Sequence, residues 1–134
     1  MLVETDFTER RRHIRVYFEG YEELQCRFTG NGRQDAALQA AVLDISLGGI
    51  HLAVDGQHHF AVGDKLTLVQ LQFQQGSPRA QQVTMEIRWV FARQDFSKIY
   101  VGCQFLDLPA ENRSFISSLI AGKIRQKKQS SGSA

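Results

Sequence analysis

Four arginines fall within six residues near the N-terminus, in Arg10-Arg11-Arg12-His13-Ile14-Arg15. A guanidinium is planar, permanently charged and carries five N–H donors, so it can grip a phosphate bidentately, stack on a base or pair with the O6/N7 edge of guanine. Placed ahead of the first strand, the run makes an anion-binding arm; an Arg-x-x-x-Arg spacing alone is weak, and a charge run is usually just solvated. A second group is Asp44-Ile-Ser-Leu-Gly-Gly49. Its Asp44 carboxylate matches the N1–H and N2–H₂ donors of guanine, and the Ser46 hydroxyl can accept or donate. Gly48 and Gly49 would let backbone approach a flat ligand. A tight turn explains the same stretch, since Asp and Ser favour turns and paired glycines tolerate positive φ.

These residues need a scaffold. The chain has 134 residues, 43% hydrophobic and 22% charged, which suits one globular domain. No apolar run approaches the roughly 20 residues of a membrane helix, and the N-terminus carries acids where a signal peptide would be apolar, which points to a cytoplasmic protein. The net charge of +2 is uneven. Residues 10–15 hold four cations, and five more follow Glu111 with no acid among them, leaving seven cations against fourteen acids elsewhere, a balance of −7 if Glu111 is counted there. A mildly acidic body with two basic segments differs from a uniformly basic nucleic-acid-binding protein.

Alternation of apolar and polar residues predicts strands near 22–29, over 38–45, at Ile50–Ala53, from Val62 through Phe73, over 83–91 and from Ile99 to Phe105. On the strand at 83–91, Val83, Met85, Ile87, Trp89 and Phe91 share one face, predicted to be buried. Strands without helical crossovers argue for an antiparallel barrel or sandwich. From Pro109 the spacing of Phe115, Ile116, Leu119, Ile120 and Ile124 turns helical. Residues 126–134 lack an apolar anchor and read as a disordered tail.

Other candidates are weaker. Cys26 and Cys103 sit in apolar runs and read as buried free thiols. His51, His58 and His59 have no supporting ligand spacing, so no metal is expected. Ser46 with His51 lacks the setting of a nucleophile and base, so no enzymatic activity is expected. One rim aromatic, Phe91, could stack on a base.

Taken together, Arg11-x-x-x-Arg15 followed by Asp44-x-Ser46-x-x-Gly49, with Gly102-Cys-Gln-Phe105 and the amphipathic C-terminal helix, resembles the PilZ domain, a bacterial receptor module for cyclic di-GMP. The likeness covers residues 9 to about 125. It implies a six-stranded antiparallel, Greek-key-like β-barrel with one C-terminal α-helix: a flexible arm over 1–15, a barrel with its helix over 16–125, then the tail. It also implies that Arg11 and Arg15 hold phosphates and guanine Hoogsteen edges while Asp44, Ser46 and Gly49 hold a guanine, with Gly48 beside them. Arg10 resembles members in which an extra arginine accompanies two intercalated ligand molecules. The expected function is a cyclic di-GMP receptor without a cofactor, whose arm orders on binding and whose new surface is read by a downstream protein. Two alternatives stand beside it. A small basic barrel binding single-stranded nucleic acid would be steeply salt-dependent and indifferent to Asp44 and Ser46. A PilZ-like adaptor would work by protein contact alone.

Overall fold

A computed structural model describes residues 13–30, 37–56, 58–92 and 97–132. The strands are β1 (Val16–Tyr17), β2 (Leu24–Gly30), β3 (Leu38–Ile45), β4 (Gly49–Asp55), β5 (Lys65–Phe73), β6 (Arg79–Ala92) and β7 (Lys98–Asp107), followed by helix α1 (Ala110–Gly132). All pairings are antiparallel. The order β3-β2-β5-β6-β7-β4 returns to β3 and closes a six-stranded barrel. The side chains that alternation assigns to one face, among them Leu24, Cys26, Phe28, Val42, Leu52, Leu66, Leu68, Met85, Ile87 and Val101, fill its interior. The closed ladder leaves no barrel strand with a free edge.

The interior suits the two thiols. Cys26 and Cys103 are both buried and free. Burial pushes the Cys103 thiol up to about 12. The Cys26 thiol is pushed higher still, by burial and then by the proximity of Cys103, so both stay protonated.

The short strand β1 stands outside this barrel. Over residues 38–41, β3 pairs with β2; beyond that, β1 takes the same side, with Val16 opposite Ile45 and Tyr17 opposite Asp44. The Phe18 N–H extends the ladder by donating to Leu43 O at 2.9 Å. The following connection is tied at several points. The Tyr21 hydroxyl lies 3.2 Å from that of Tyr100, Lys98 Nζ sits 4.5 Å from the centre of the Tyr21 ring, and Glu23 pairs with Lys123 of α1 at 2.5 Å. These contacts hold the chain that delivers Arg15.

Several strands break simple alternation, and two of these irregularities shape the outer wall. In β3, Val42 faces Leu52 while Asp44 faces His51, so Leu43 is an extra residue. In β6, Ile87 faces Cys103 while Trp89 faces Gly102, so Arg88 is extra. Each bulge reverses the phase of the residues after it. Trp89 and Phe91, expected to share the buried face with Val83, Met85 and Ile87, are therefore turned outward, 40% and 53% exposed. The strand expected to begin at Val62 begins at Lys65, and Val62 is exposed.

Helix α1 buries Ile116, Leu119 and Ile120 against the barrel. A buried polar link joins them: Asn112 Nδ2 donates to Gln81 Oε1 of β6 at 2.7 Å. The helix runs to Gly132, so most of the stretch expected to be a disordered tail is helical. Lys and Gln are good helix formers, and once packing has nucleated a helix, polar residues extend it without an apolar anchor. Among the described residues, no helix is long and apolar enough to cross a membrane.

Candidate functional site

The bulge at Leu43 is what makes a site. It keeps Ile45 in the core, opposite Ile50, and turns Asp44 to the outer face. There the ladder aligns one row across five strands: Tyr17, Asp44, His51, Gly102 and Trp89 are successive cross-strand partners. Arg15, just ahead of β1, comes to the same face as Tyr17.

Arg15 meets Asp44 directly. Its Nη1 donates to Asp44 Oδ1 in a short contact, and its Nη2 lies 3.5 Å from Ser46 Oγ. The Asp44 side chain is only 7% exposed, and its other oxygen, Oδ2, lies 2.9 Å from His51 Nδ1. Burial alone would push the Asp44 carboxyl up. The hydrogen bonds and charges of His51 and Arg15 outweigh it and hold the group below the usual carboxylate range. Asp44 is thus a pure acceptor, with lone pairs left over after Arg15 and His51 are served. Arg15 keeps unused N–H donors, and its side chain is 31% exposed.

Ser46 is almost fully buried and organises the turn. Its Oγ accepts from the Gly48 N–H at 3.1 Å and the Gly49 N–H at 3.2 Å, while its own N–H donates to Gly49 O at 2.9 Å. Neither glycine uses the positive φ that the sequence reading allowed. Gly49 is required by packing instead, because a Cβ there would lie 2.2 Å from the Cys103 carbonyl oxygen of β7. At Gly48 the neighbour is the His13 side chain, which rests over the turn. Arg10 and Arg11 lie outside the described residues.

Gly102 admits a neighbouring side chain. A Cβ there would fall 2.1 Å from Trp89 Nε1, so its absence lets the indole lie across β7. The indole then meets the His51 ring with centroids 5.1 Å apart and planes at 62°. Phe91 sits one row away beside Tyr100, with ring centroids 6.4 Å apart.

His51 and Trp89 are the members that sequence reasoning missed. Residue type alone offers His51 only as a metal ligand or a catalytic base, and alternation places Trp89 in the core. The signal for His51 was present in its place on the strand after the turn, but the partnership with Asp44 depends on register. His58 and His59 lie away from the site, and among the described residues no cluster of three or more His, Cys, Asp or Glu could hold a metal.

The domain is a small antiparallel barrel that carries its polar chemistry on the outer wall, where an arginine, a buried ionised carboxylate and a serine-organised turn converge. The chain belongs to the PilZ domain family, whose model matches residues 9–122. Solved structures with the same fold include the PilZ domain of YcgR from Escherichia coli with c-di-GMP, at 15% identity and TM-score 0.66, covering 93% of this chain and 99% of that one. The MrkH–c-di-GMP complex of K. pneumonia aligns at 18% identity and TM-score 0.67, covering 90% of this chain and 55% of that one. The inhibitor of motility MotI/DgrA of Bacillus subtilis aligns at 16% identity and TM-score 0.63, covering 90% and 52%. The chain thus spans about half the length of MrkH and MotI. No curated protein sequence matched.

Proposed function

We propose that this domain is a cyclic di-GMP receptor. The observation that carries the reading is the meeting of Arg15, Asp44 and Ser46 at one point of the outer wall. Arg15 is held with donors to spare for a phosphate or a guanine Hoogsteen edge. Asp44, kept ionised, accepts from the N1–H and N2–H₂ of a guanine, and Gly48 and Gly49 of the Ser46 turn bring backbone against it. Arg11 grips a phosphate in the same way, and Arg10 supports a second, intercalated ligand molecule. The two relatives solved with c-di-GMP share this fold, and the family motif is complete in the sequence. Ordering of the arm over the barrel then creates the surface that a downstream protein reads. The domain acts by binding, in the cytoplasm, and not by catalysis.

The energetics are sufficient. Charge-assisted hydrogen bonds are worth roughly 1.5–3 kcal/mol each, and micromolar affinity corresponds to about 8 kcal/mol. Two arginines and one bidentate carboxylate reach that even after ordering the arm costs about 2–5 kcal/mol. Calorimetric titration tests the reading. Arg11→Ala and Arg15→Ala are each expected to weaken cyclic di-GMP binding at least tenfold, with GTP and GMP binding far more weakly than cyclic di-GMP to the unaltered protein. Stoichiometry from the same titration counts the ligand molecules. No binding at about 100 μM ligand, a range where even a contact worth about 5.5 kcal/mol registers, would overturn it. Salt-sensitive oligonucleotide binding indifferent to Asp44 would favour the nucleic-acid alternative.

A further inference from the structure

We propose that His51 is a positioning residue for the ligand: it fixes the plane of the Asp44 carboxylate so that both oxygens address the donor edge of one guanine. The inference rests on the cyclic di-GMP reading and adds to it a residue outside the Asp-x-Ser-x-x-Gly motif.

A carboxylate on a single-bonded stem rotates freely unless both oxygens are held. Arg15 takes Oδ1 and His51 Nδ1 lies 2.9 Å from Oδ2, so the group is pinned from the segment ahead of β1 and from β4. Because the carboxylate is ionised and cannot donate, His51 Nδ1 carries the proton of that bond. The imidazole is fixed in turn. It stands directly across the β3–β4 ladder from Asp44, and its other cross-strand partner, Gly102, has no side chain. The space above Gly102 is filled by Trp89, which braces the ring edge-on. Three features thus converge on one carboxylate: the bulge that turns Asp44 outward, the glycine that admits the indole, and the histidine between them. Arg15 forms part of the ligand grip and must share its donors with the ligand. His51 has no such competing duty and keeps Asp44 oriented while that exchange happens.

The distinguishing measurement compares cyclic di-GMP with its inosine analogue, cyclic di-IMP, which lacks the exocyclic amino group and so makes only one of the two contacts to Asp44. Titrations are run on the unaltered protein, His51→Leu, His51→Asn and Asp44→Asn, and on His51→Leu combined with Asp44→Asn. The loss of one charge-assisted hydrogen bond predicts that the unaltered protein prefers cyclic di-GMP about tenfold. In His51→Leu the affinity for cyclic di-GMP falls about tenfold and the preference shrinks toward unity, since a swinging carboxylate no longer holds two donors at once. His51→Asn, whose amide nitrogen reaches the place of Nδ1, restores both to within about threefold, which a mere packing role would not do. In the Asp44→Asn background the histidine change has less than about a twofold effect, as coupling through a shared partner requires. Unchanged affinity and preference in His51→Leu would overturn the proposal, as would an undiminished effect in the Asp44→Asn background. Failure of the unaltered protein to bind cyclic di-GMP would overturn the functional reading itself, and this inference with it.

Discussion

Adjacent glycines in the Ser46 turn should respond very unequally to the same added methyl group. In Gly49→Ala the new Cβ would lie 2.2 Å from the Cys103 carbonyl oxygen, more than 1 Å short of ordinary contact, and that oxygen belongs to a strand that cannot rotate away. To relieve the clash β4 must part from β7 at its first residue pair, Gly49 opposite Gln104. Two hydrogen bonds depend on that placement: Ser46 N–H to Gly49 O and Phe105 N–H to Gly48 O, each 2.9 Å. Overpacking costs typically 1–3 kcal/mol, and two weakened hydrogen bonds add about 1 kcal/mol each, giving a loss of about 3–5 kcal/mol. At roughly 4 °C per kcal/mol for a domain of this size, the unfolding temperature drops by about 12–20 °C. In Gly48→Ala the nearest atom is His13 Cδ2 at 2.9 Å, the far end of a partly exposed side chain that can swing aside. That substitution should cost less than about 1 kcal/mol. Thermal unfolding of the two variants, followed by circular dichroism, reads the contrast. Equal losses, or a larger loss at Gly48, would refute the assignment of Gly49 to barrel closure.

Two further outcomes follow from the site. Because Asp44 titrates below its unfolded value in the folded protein, its contribution to stability is complete above the ordinary carboxylate pKa of about 3.9 and is lost as pH falls through the folded value. The stability difference between the unaltered protein and Asp44→Asn, from urea midpoints, should therefore be larger at about pH 7 than at about pH 3, shrinking as pH falls below about 4. A difference that grows toward acid would contradict the ion-paired carboxylate. In Gly102→Ala the Cβ displaces the only tryptophan from β7, so Trp89 emission should shift to longer wavelength while the barrel stays folded. An unshifted spectrum would show that the indole does not depend on that glycine.

Much of the architecture is local information. The period of two at Leu24, Cys26 and Phe28 and at Val83, Met85 and Ile87 marks strands whose faces the barrel buries as read. The change to helical spacing after Pro109 marks the helix that packs on it. Arg15, Asp44 and Ser46 are legible as a set from residue type and order, because the chemistry of a phosphate- and guanine-gripping site restricts the side chains that can serve it. The end of the helix was less legible, since Gln126 and its neighbours have helix propensity but no apolar pattern to announce it.

The rest depended on register, which is a property of two strands and not of one. Alternation along β6 counts every residue, whereas the ladder skips Arg88, so Trp89 and Phe91 change sides at a bulge that leaves no trace in the spacing of apolar residues. The same device in β3 puts Asp44 outside and Ile45 inside. His51 acquires its meaning only from the strand beside it. Its neighbours in the chain, Ile50 and Leu52, say that it points outward; that it points at Asp44 follows from the β3–β4 pairing. The types of residue that could make a site were thus determined by the sequence, while their convergence was decided by two bulges and a closed ladder, because hydrogen-bonded pairing fixes positions across strands that lie far apart in the chain.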